Sequence, residues 1–302
     1  MGCSPCSLNF SGCNSNWGER RVRVDAHQHY WKLERGDYGW ISPEMKAIYK
    51  DFGPADLLRH LTDNGIDKTI VVQAAPTLRD TEFMLELAAS NESIAGIVGW
   101  LDLHSPNYLE QFQTFRKHPS FVGFRVMIQE MENADEVLEP EVIEALRHFA
   151  GIGFPVDLLM HSSQLPSVLK LLKAVPGLHA VIDHIAKPDI AAGQWQPWAE
   201  QMEEIASYPG IYCKLSGMVT EADHRAWQPE QLTPYIRHTL DLFGPERVMF
   251  GSDWPVCLLA ASYDQVVRTL DEALPKTWGE REKAALFGGN ALRFYKLEHL
   301  QR

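Results

Sequence analysis

No run of 18 consecutive apolar residues occurs anywhere in the 302-residue sequence, so it offers no candidate membrane-spanning helix. Basic residues are also scarce. The 28 Lys and Arg stand against 40 Asp and Glu, for a formal charge of -12, and the cations do not gather in runs. Nucleic acid and anionic membranes call for a basic surface, so neither is expected as a partner. A small neutral or anionic molecule stays open, because one or two local cations suffice to hold it. Cysteine is sparse as well. Cys3, Cys6 and Cys13 form no paired framework, and Cys213 and Cys257 lie inside apolar, strand-like runs, which fits a reducing, cytoplasmic compartment. Residues 1–20 lack the apolar core of roughly 7–15 residues that a signal peptide needs, and they read as a short disordered extension. The start Met1-Gly2-Cys3 approaches an acylation site, but position 6 is Cys rather than Ser or Thr.

What the sequence does have is alternation. With 45% apolar and 23% charged residues it has the composition of a globular protein. Eight short apolar runs recur, at Val22–His29, Thr69–Ala75, Ile94–Leu103, Val122–Ile128, Pro155–His161, Ala180–His184, Ile211–Ser216 and Val248–Asp253. Their near-continuous apolar character suits strands buried on both faces. Between them lie segments with apolar residues at helical spacing, such as Asp56–Asn64, Thr81–Ser90, Pro140–Phe149, Leu165–Ala174, Trp198–Tyr208, Thr233–Phe243, Tyr263–Leu274 and Glu280–Phe287. Gly65, Gly151, Gly177 and Gly244 fall where helix C-caps are wanted. No GxGxxG turn follows the first run. The pattern predicts an α/β protein, a (β/α)8 TIM barrel forming a single domain over residues 21–302. Lys32–Phe52 is long for a βα connection and is expected either to fold over the barrel mouth as a lid or to pack as a simple surface loop.

In such a barrel the chemistry hangs from the C-terminal strand ends. Those ends carry His27, His29, Gln73, Asp102, His104, Arg125, His161, His184 followed by Lys187, Lys214, and Asp253. In a strand His27 and His29 face the same way about 7 Å apart. Such a pair suits a shared metal ion or the oxygen of a polarised substrate, although an isolated pair of this kind is equally at home at an ordinary strand end.

Three stretches make the likeness specific: Val24-Asp25-Ala26-His27-Gln28-His29-Tyr30-Trp31, Ile182-Asp183-His184-Ile185-Ala186-Lys187-Pro188, and Phe250-Gly251-Ser252-Asp253-Trp254-Pro255. Over about residues 21–300 the chain resembles the amidohydrolase superfamily, and within it the sugar-acid lactonase branch typified by L-fuconolactonase and L-rhamnonolactonase. The resemblance implies a (β/α)8 barrel and hydrolysis, with Asp253 as the strand-8 aspartate that accepts a proton from the attacking water. It also implies His27 and His29 as the strand-1 pair, His184 as the strand-6 histidine and Arg125 as the strand-4 arginine of the lactonases. An arginine cannot bridge two cations, so a binuclear centre is not expected. A single divalent ion, zinc for example, on His27, His29 and Asp253, with His161 as a further candidate ligand, stands beside a reaction that requires no metal.

Attack on a lactone carbonyl needs a base, here Asp253. It needs stabilisation of the oxyanion, for which His27, His29 and His184, protonated or metal-bound, are candidates; one such donor is typically worth about 2.7–4 kcal/mol. It also needs positioning, for which Arg125, Lys187, Lys214 and Gln73 supply donors, while Tyr30, Trp31, Trp40, Trp254 and Trp195 are candidate platforms for a sugar ring. The partner expected is a small-molecule lactone. Two other readings share these residues: a zinc-dependent decarboxylase of the same superfamily, which uses a strand-5 histidine, and a sugar-binding barrel without catalysis. Ring size, stereochemistry and oligomeric state depend on loop geometry and surfaces that the sequence does not spell out.

Overall fold

The computed structural model describes residues 21–301, so the expected N-terminal extension and its three cysteines lie outside the described residues. Eight parallel strands hydrogen-bond in sequence order: β1 (Val24–Gln28), β2 (Lys68–Val72), β3 (Ile94–Gly99), β4 (Phe121–Met127), β5 (Val156–Leu159), β6 (Ala180–Ile182), β7 (Ile211–Leu215) and β8 (Val248–Phe250). The ring closes at the mouth. Gln28 bridges Trp254, the Asp253 N–H donates to the His27 carbonyl at 2.8 Å, and the His29 N–H donates to the Trp254 carbonyl at 2.7 Å. The chain is therefore a (β/α)8 TIM barrel, as the alternation predicts.

Around the wall run α1 (Pro54–Asp63), α2 (Leu78–Ser90), α3 (Tyr108–Phe115), α4 (Pro140–Ile152), α5 (Leu165–Ala174), α6 (Trp198–Ala206), α7 (Pro229–Phe243) and α8 (Tyr263–Ala273), followed by the short α9 (Glu280–Ala284) and α10 (Asn290–Phe294). Each long helix turns an apolar stripe to the wall; on α4 it is Val142, Ile143, Ala145, Leu146 and Phe149. Burying one such large side chain is worth about 1.5–3 kcal/mol. Three details depart from the sequence pattern. Helix α3 was not among the expected helices, because its eight residues bury only Phe112 and Phe115. Gly151 lies inside α4, and Gly153, at φ 58°, is the left-handed cap instead. The expected helix Glu280–Phe287 breaks after Ala284 into a wider turn.

Inside the barrel, Val24, Ala26, Ile70, Val72, Val98 and Met249 pack on Leu292, Phe294 and Tyr295, which close the N-terminal end. Above this apolar base the interior becomes ionic, and a bulge in β1 makes the change. Asp25 pairs with Thr69, but Gln28 pairs with Val71, so β1 spends three residues where β2 spends two. One extra residue reverses the inside–outside alternation. Val24 and Ala26 face the interior below the bulge, His27 and His29 face it above, and Asp25 reaches out to Tyr263 on α8.

The long β1–α1 connection is pinned across the mouth. Trp31 and Phe52 exchange two backbone hydrogen bonds of 3.0 Å, the Trp31 indole donates to the Lys50 carbonyl, Tyr38 donates to Asp80 Oδ1 at 2.7 Å, and the Trp40 indole donates to the Ala74 carbonyl at 2.8 Å. Among the described residues no helix is long and apolar enough to cross a membrane.

Candidate active site

Four side chains from three strand ends converge below the mouth. His27 Nε2 and His29 Nε2 are 3.2 Å apart, and Asp253 Oδ1 lies 3.2 Å from His29 Nε2, 3.8 Å from His27 Nε2 and 3.9 Å from His184 Nε2. All four residues are buried. His29 donates through Nδ1 to the Val72 carbonyl at 2.7 Å, and its Nε2 lies within hydrogen-bond distance of both His27 Nε2 and Asp253 Oδ1. His184 Nδ1 meets Ser216 Oγ at 2.8 Å.

Local backbone geometry aims these groups. After β6, His184, Ile185, Ala186 and Lys187 all have φ between 47° and 59°, a left-handed turn built without glycine, and Asp253 sits at φ 56°. Each such residue costs about 1–2 kcal/mol, strain of the kind that collects at functional sites. Buried Ile185 and Ala186 hold the turn, as does the Trp198 indole, which donates to the Ile185 carbonyl at 2.8 Å. Two glycines clear the space. A Cβ on Gly217, itself at φ 62°, would lie 2.5 Å from His184 Nδ1, and one on Gly251 would lie 2.6 Å from the His27 Cβ.

Asp25 fastens the two ends of the barrel beneath the cluster. Its carboxylate accepts from the His27 N–H at 3.2 Å, the Ser252 N–H at 2.9 Å and the Tyr263 O–H at 3.1 Å. Deeper still, Lys214 donates to the Asp157 carboxylate and to His27 Nδ1 at 3.2 Å, with Asp183 Oδ1 at 3.1 Å; Tyr295, from the base, donates to Asp157 at 2.9 Å.

The cavity above the cluster has a volume of about 170 Å³ and is lined by His29, Trp40, Arg125, Gln129, Glu130, His184, Lys187 and Asp253, with Met127, Leu159 and Val256 as its apolar wall. Both cations have internal partners. Arg125 Nη1 is 3.4 Å from Asp183 Oδ2 and Nη2 donates to the Gln73 carbonyl, while Lys187 Nζ is 3.9 Å from Glu221 Oε1. Arg125 Nε is buried with no hydrogen-bond partner among the described residues. A second cavity of about 280 Å³ adjoins through Arg125, Met127 and Glu130 and contains Asp102 and His104.

The expected residues are thus partly assembled. His29, His184, Asp253, Arg125 and Lys187 line the cavity, and His27 lies directly beneath it. Gln73 contributes its carbonyl to Arg125 and keeps its amide buried. Lys214 is wholly buried among carboxylates, so it is not a donor to substrate. Trp31 and Trp254 are buried against Phe52, below the cavity surface, and Tyr30 packs on Trp254; the aromatic wall is Trp40. Trp195 stacks with Trp198, Tyr235 and His238 on the outer helices. His161 is exposed at the start of the loop after β5 and does not join the converging atoms; the third member of the group that could hold an ion, beside His27 and Asp253, is His184. Asp25, Asp157 and Asp183 are functional neighbours of the site that the strand-end pattern does not pick out. Their signal was available: an acidic residue inside an otherwise apolar strand run needs a partner.

Burial holds His27 and His184 well below the ordinary histidine pKa, for His27 with the added push of Lys214, and for His184 against the pull of Asp253. Burial pushes Asp253 upward, but His184, His29 and Lys187 outweigh it and keep the carboxyl below its ordinary value. Asp253 is an ionised carboxylate.

The donor set fits a divalent ion. Ligands of a tetrahedral zinc stand about 3.4 Å apart for bonds of about 2.1 Å. The separations of 3.2, 3.2, 3.8 and 3.9 Å bracket that value. A second group, His27, Asp157 and Asp183, is closed to an ion because Lys214 Nζ stands among them.

Comparison with known proteins agrees with this geometry. The chain is 37% identical over 281 residues to an L-fucono-1,5-lactonase of Burkholderia ambifaria, covering 91% of this chain and 96% of that protein. It is 34% identical over 289 residues to an L-fucono-1,5-lactonase of Burkholderia multivorans, with the same coverage. The crystal structure of an amidohydrolase from Burkholderia multivorans with bound zinc superimposes with a TM-score of 0.86 at 34% identity, covering 91% of this chain and 99% of that one. The amidohydrolase family model matches residues 24–297, from the first strand to the segment that closes the barrel base, and this chain belongs to that family.

Proposed function

We propose that this protein is a hydrolase that opens a sugar-acid lactone. The observation that carries the reading is an ionised Asp253 set among three imidazoles at the bottom of a small cavity whose wall holds Arg125 and Lys187. Asp253 takes a proton from water as the water oxygen bonds to the lactone carbonyl carbon. The ring C–O bond then breaks, and Asp253 returns the proton to the leaving alkoxide, so one carboxylate serves both halves. Arg125 and Lys187 direct donors to the carbonyl and ring substituents, and Trp40 offers a face to the ring. The reaction runs with no ion or with one divalent ion held by His27, His29, His184 and Asp253; when bound, the ion would polarise the carbonyl and lower the pKa of water.

A neutral, hydroxyl-bearing ring suits the charge balance. Arg125 and Lys187 are each matched by a carboxylate, Asp183 and Glu221, and Glu130 adds a further acid to the rim, so no surplus cation awaits a substrate carboxylate. The decarboxylase reading relied on a strand-5 histidine, and His161 stands apart from the cluster. The buried, unpaired thiols of Cys213 and Cys257 suit the cytoplasm.

Asp253→Asn tests the reaction. Hydrolysis across a panel of aldonolactones and muconolactones, followed by proton release, should fall by about 10²–10⁴-fold with the circular dichroism unchanged. A variant that keeps the rate would overturn the mechanism, and activity confined to carboxylated muconolactones would overturn the substrate class.

A further inference from the structure

The cavity above the histidine–aspartate cluster is small for a complete substrate site. Its volume of about 170 Å³ falls short of the roughly 300–1,000 Å³ usual for small-molecule sites, whereas joined with the second cavity, of about 280 Å³, it enters that range. Arg125, Met127 and Glu130 line both, so one molecule can run from the first into the second along a shared wall. Methionine is flexible, and Met127 lets that passage widen.

The second cavity lies between the ends of β3 and β4. Trp100, Leu103, Met131 and Val142 contribute apolar surface, and the carboxylates of Asp102, Glu130, Glu132 and Glu136 stand among them. Glu130 and Glu132 have no hydrogen-bond or ion-pair partner among the described residues, and Asp102 and Glu136 each use only one oxygen, on a nearby backbone N–H at 3.2 and 2.8 Å. The two basic side chains of the lining are already held: His104 Nδ1 is 3.4 Å from Glu139 Oε2, and Arg125 is paired with Asp183. Free acceptors without free donors, set around apolar surface, repel a carboxylate or phosphate. They match a group with hydroxyls at its edge and C–H bonds on its faces, and a sugar ring is such a group.

We propose that the second cavity is a subsite for a neutral sugar ring attached to the lactone, so that the substrate is the lactone of a disaccharide acid. This rests on the lactone reading of the first cavity and adds to it the size of the molecule. The lactone ring sits over Asp253, the glycosidic oxygen passes Met127 and Glu130, and the second ring lies between Trp100 and Met131 with its hydroxyls donating to Asp102, Glu132 and Glu136. An alkyl or aryl group in its place would leave all of these acceptors without donors.

The test compares kcat/KM for an aldonolactone that the enzyme opens with kcat/KM for the same lactone carrying one glucosyl residue on each hydroxyl in turn. One glucosyl derivative is expected to be opened at least about tenfold more efficiently than the bare lactone. Met131→Trp fills the second cavity and should bring that ratio to about one; should it fail to fold, Glu132→Gln, at an exposed position, should lower the ratio about fivefold. Benzyl and aminoethyl groups on the same hydroxyl identify other occupants. An equal gain from benzyl assigns the cavity to apolar groups and one from aminoethyl to cations, and either overturns the sugar. A bare lactone opened with no glucosyl derivative preferred, or a preference that persists in the variant, overturns the subsite and leaves lactone hydrolysis standing. No opening of any aldonolactone by the wild type overturns the lactonase reading and the subsite with it.

Discussion

Replacing Asp25 with asparagine should stabilise the protein at neutral pH and leave it little changed near pH 4. The carboxylate is wholly buried, and burial pushes its pKa from 3.8 to about 6 against the hydrogen bonds from Ser252, His27 and Tyr263 that pull it down. An acid whose folded pKa is raised contributes most below its unfolded pKa, and that contribution is lost as pH rises through the folded value. For Asp25 the window runs from about 3.8 to about 6, and the loss is about 3 kcal/mol at about 1.4 kcal/mol per pH unit. Asparagine keeps the shape: its oxygen can accept both N–H groups, and its amide can donate to the Tyr263 oxygen. It never ionises, so relative to wild type it should gain up to about 3 kcal/mol by pH 7.5. Asp25→Ala instead orphans three donors, at about 1–3 kcal/mol each, and should lose 3 kcal/mol or more at either pH. Urea unfolding of the three proteins at pH 4 and pH 7.5, followed by tryptophan fluorescence, reads all of these values. If Asp25→Asn is less stable than wild type at pH 7.5, the carboxylate is stabilised rather than penalised by its site, and the reasoning fails.

Other consequences can be checked alongside. Gly217→Ala places a methyl 2.5 Å from His184 Nδ1 on a backbone at φ 62°. It should cost about 1–2 kcal/mol of stability and displace the imidazole enough to lower lactone hydrolysis at least tenfold; an unchanged rate would show that His184 does not need its place. Trp40→Ala removes the aromatic wall of the cavity and one indole hydrogen bond to Ala74. KM for a sugar lactone should rise severalfold while kcat stays within about twofold, as expected for a group that binds ground and transition states alike. A fall in kcat alone would place Trp40 in the chemistry instead.

The barrel was legible because its eight apolar runs are separated by long amphipathic segments, and only right-handed βα repetition accounts for both. Helix α3 is not legible in the sequence because two turns with two buried phenylalanines carry little periodic signal. The apolar pattern overruns the strand ends for a related reason. Runs such as Ile94–Leu103 stay apolar past the last ladder residue, Gly99, where the chain bends to form the mouth. Among site residues, those at strand ends on recognisable motifs came together, His27, His29, Arg125, His184 and Asp253 among them. What stayed hidden depends on three-dimensional closure. The β1 bulge decides which face the histidines take, the fold of residues 32–52 brings in Trp40 rather than Trp31, and the left-handed turn after β6 makes His184 rather than His161 the neighbour of Asp253.

The ionic layer around Lys214 makes most sense as a positioning device. Buried ion pairs contribute little net stability, because desolvation cancels most of their attraction, and apolar groups of the same volume often serve the fold better. The lower interior shows the alternative in use, filled by Val24, Ile70, Val98 and Met249. Charge begins only one layer beneath the histidine–aspartate cluster, and its members touch that cluster or its supports: Lys214 touches His27, Asp183 pairs with Arg125, and Tyr295 holds Asp157 from below. The strained turn at His184–Lys187 follows the same logic, since two of its four left-handed residues line the cavity and the other two anchor the turn in the core. Stability is conceded at the places where a side chain must be aimed, and the apolar base and outer helix layer, which aim nothing, carry the fold.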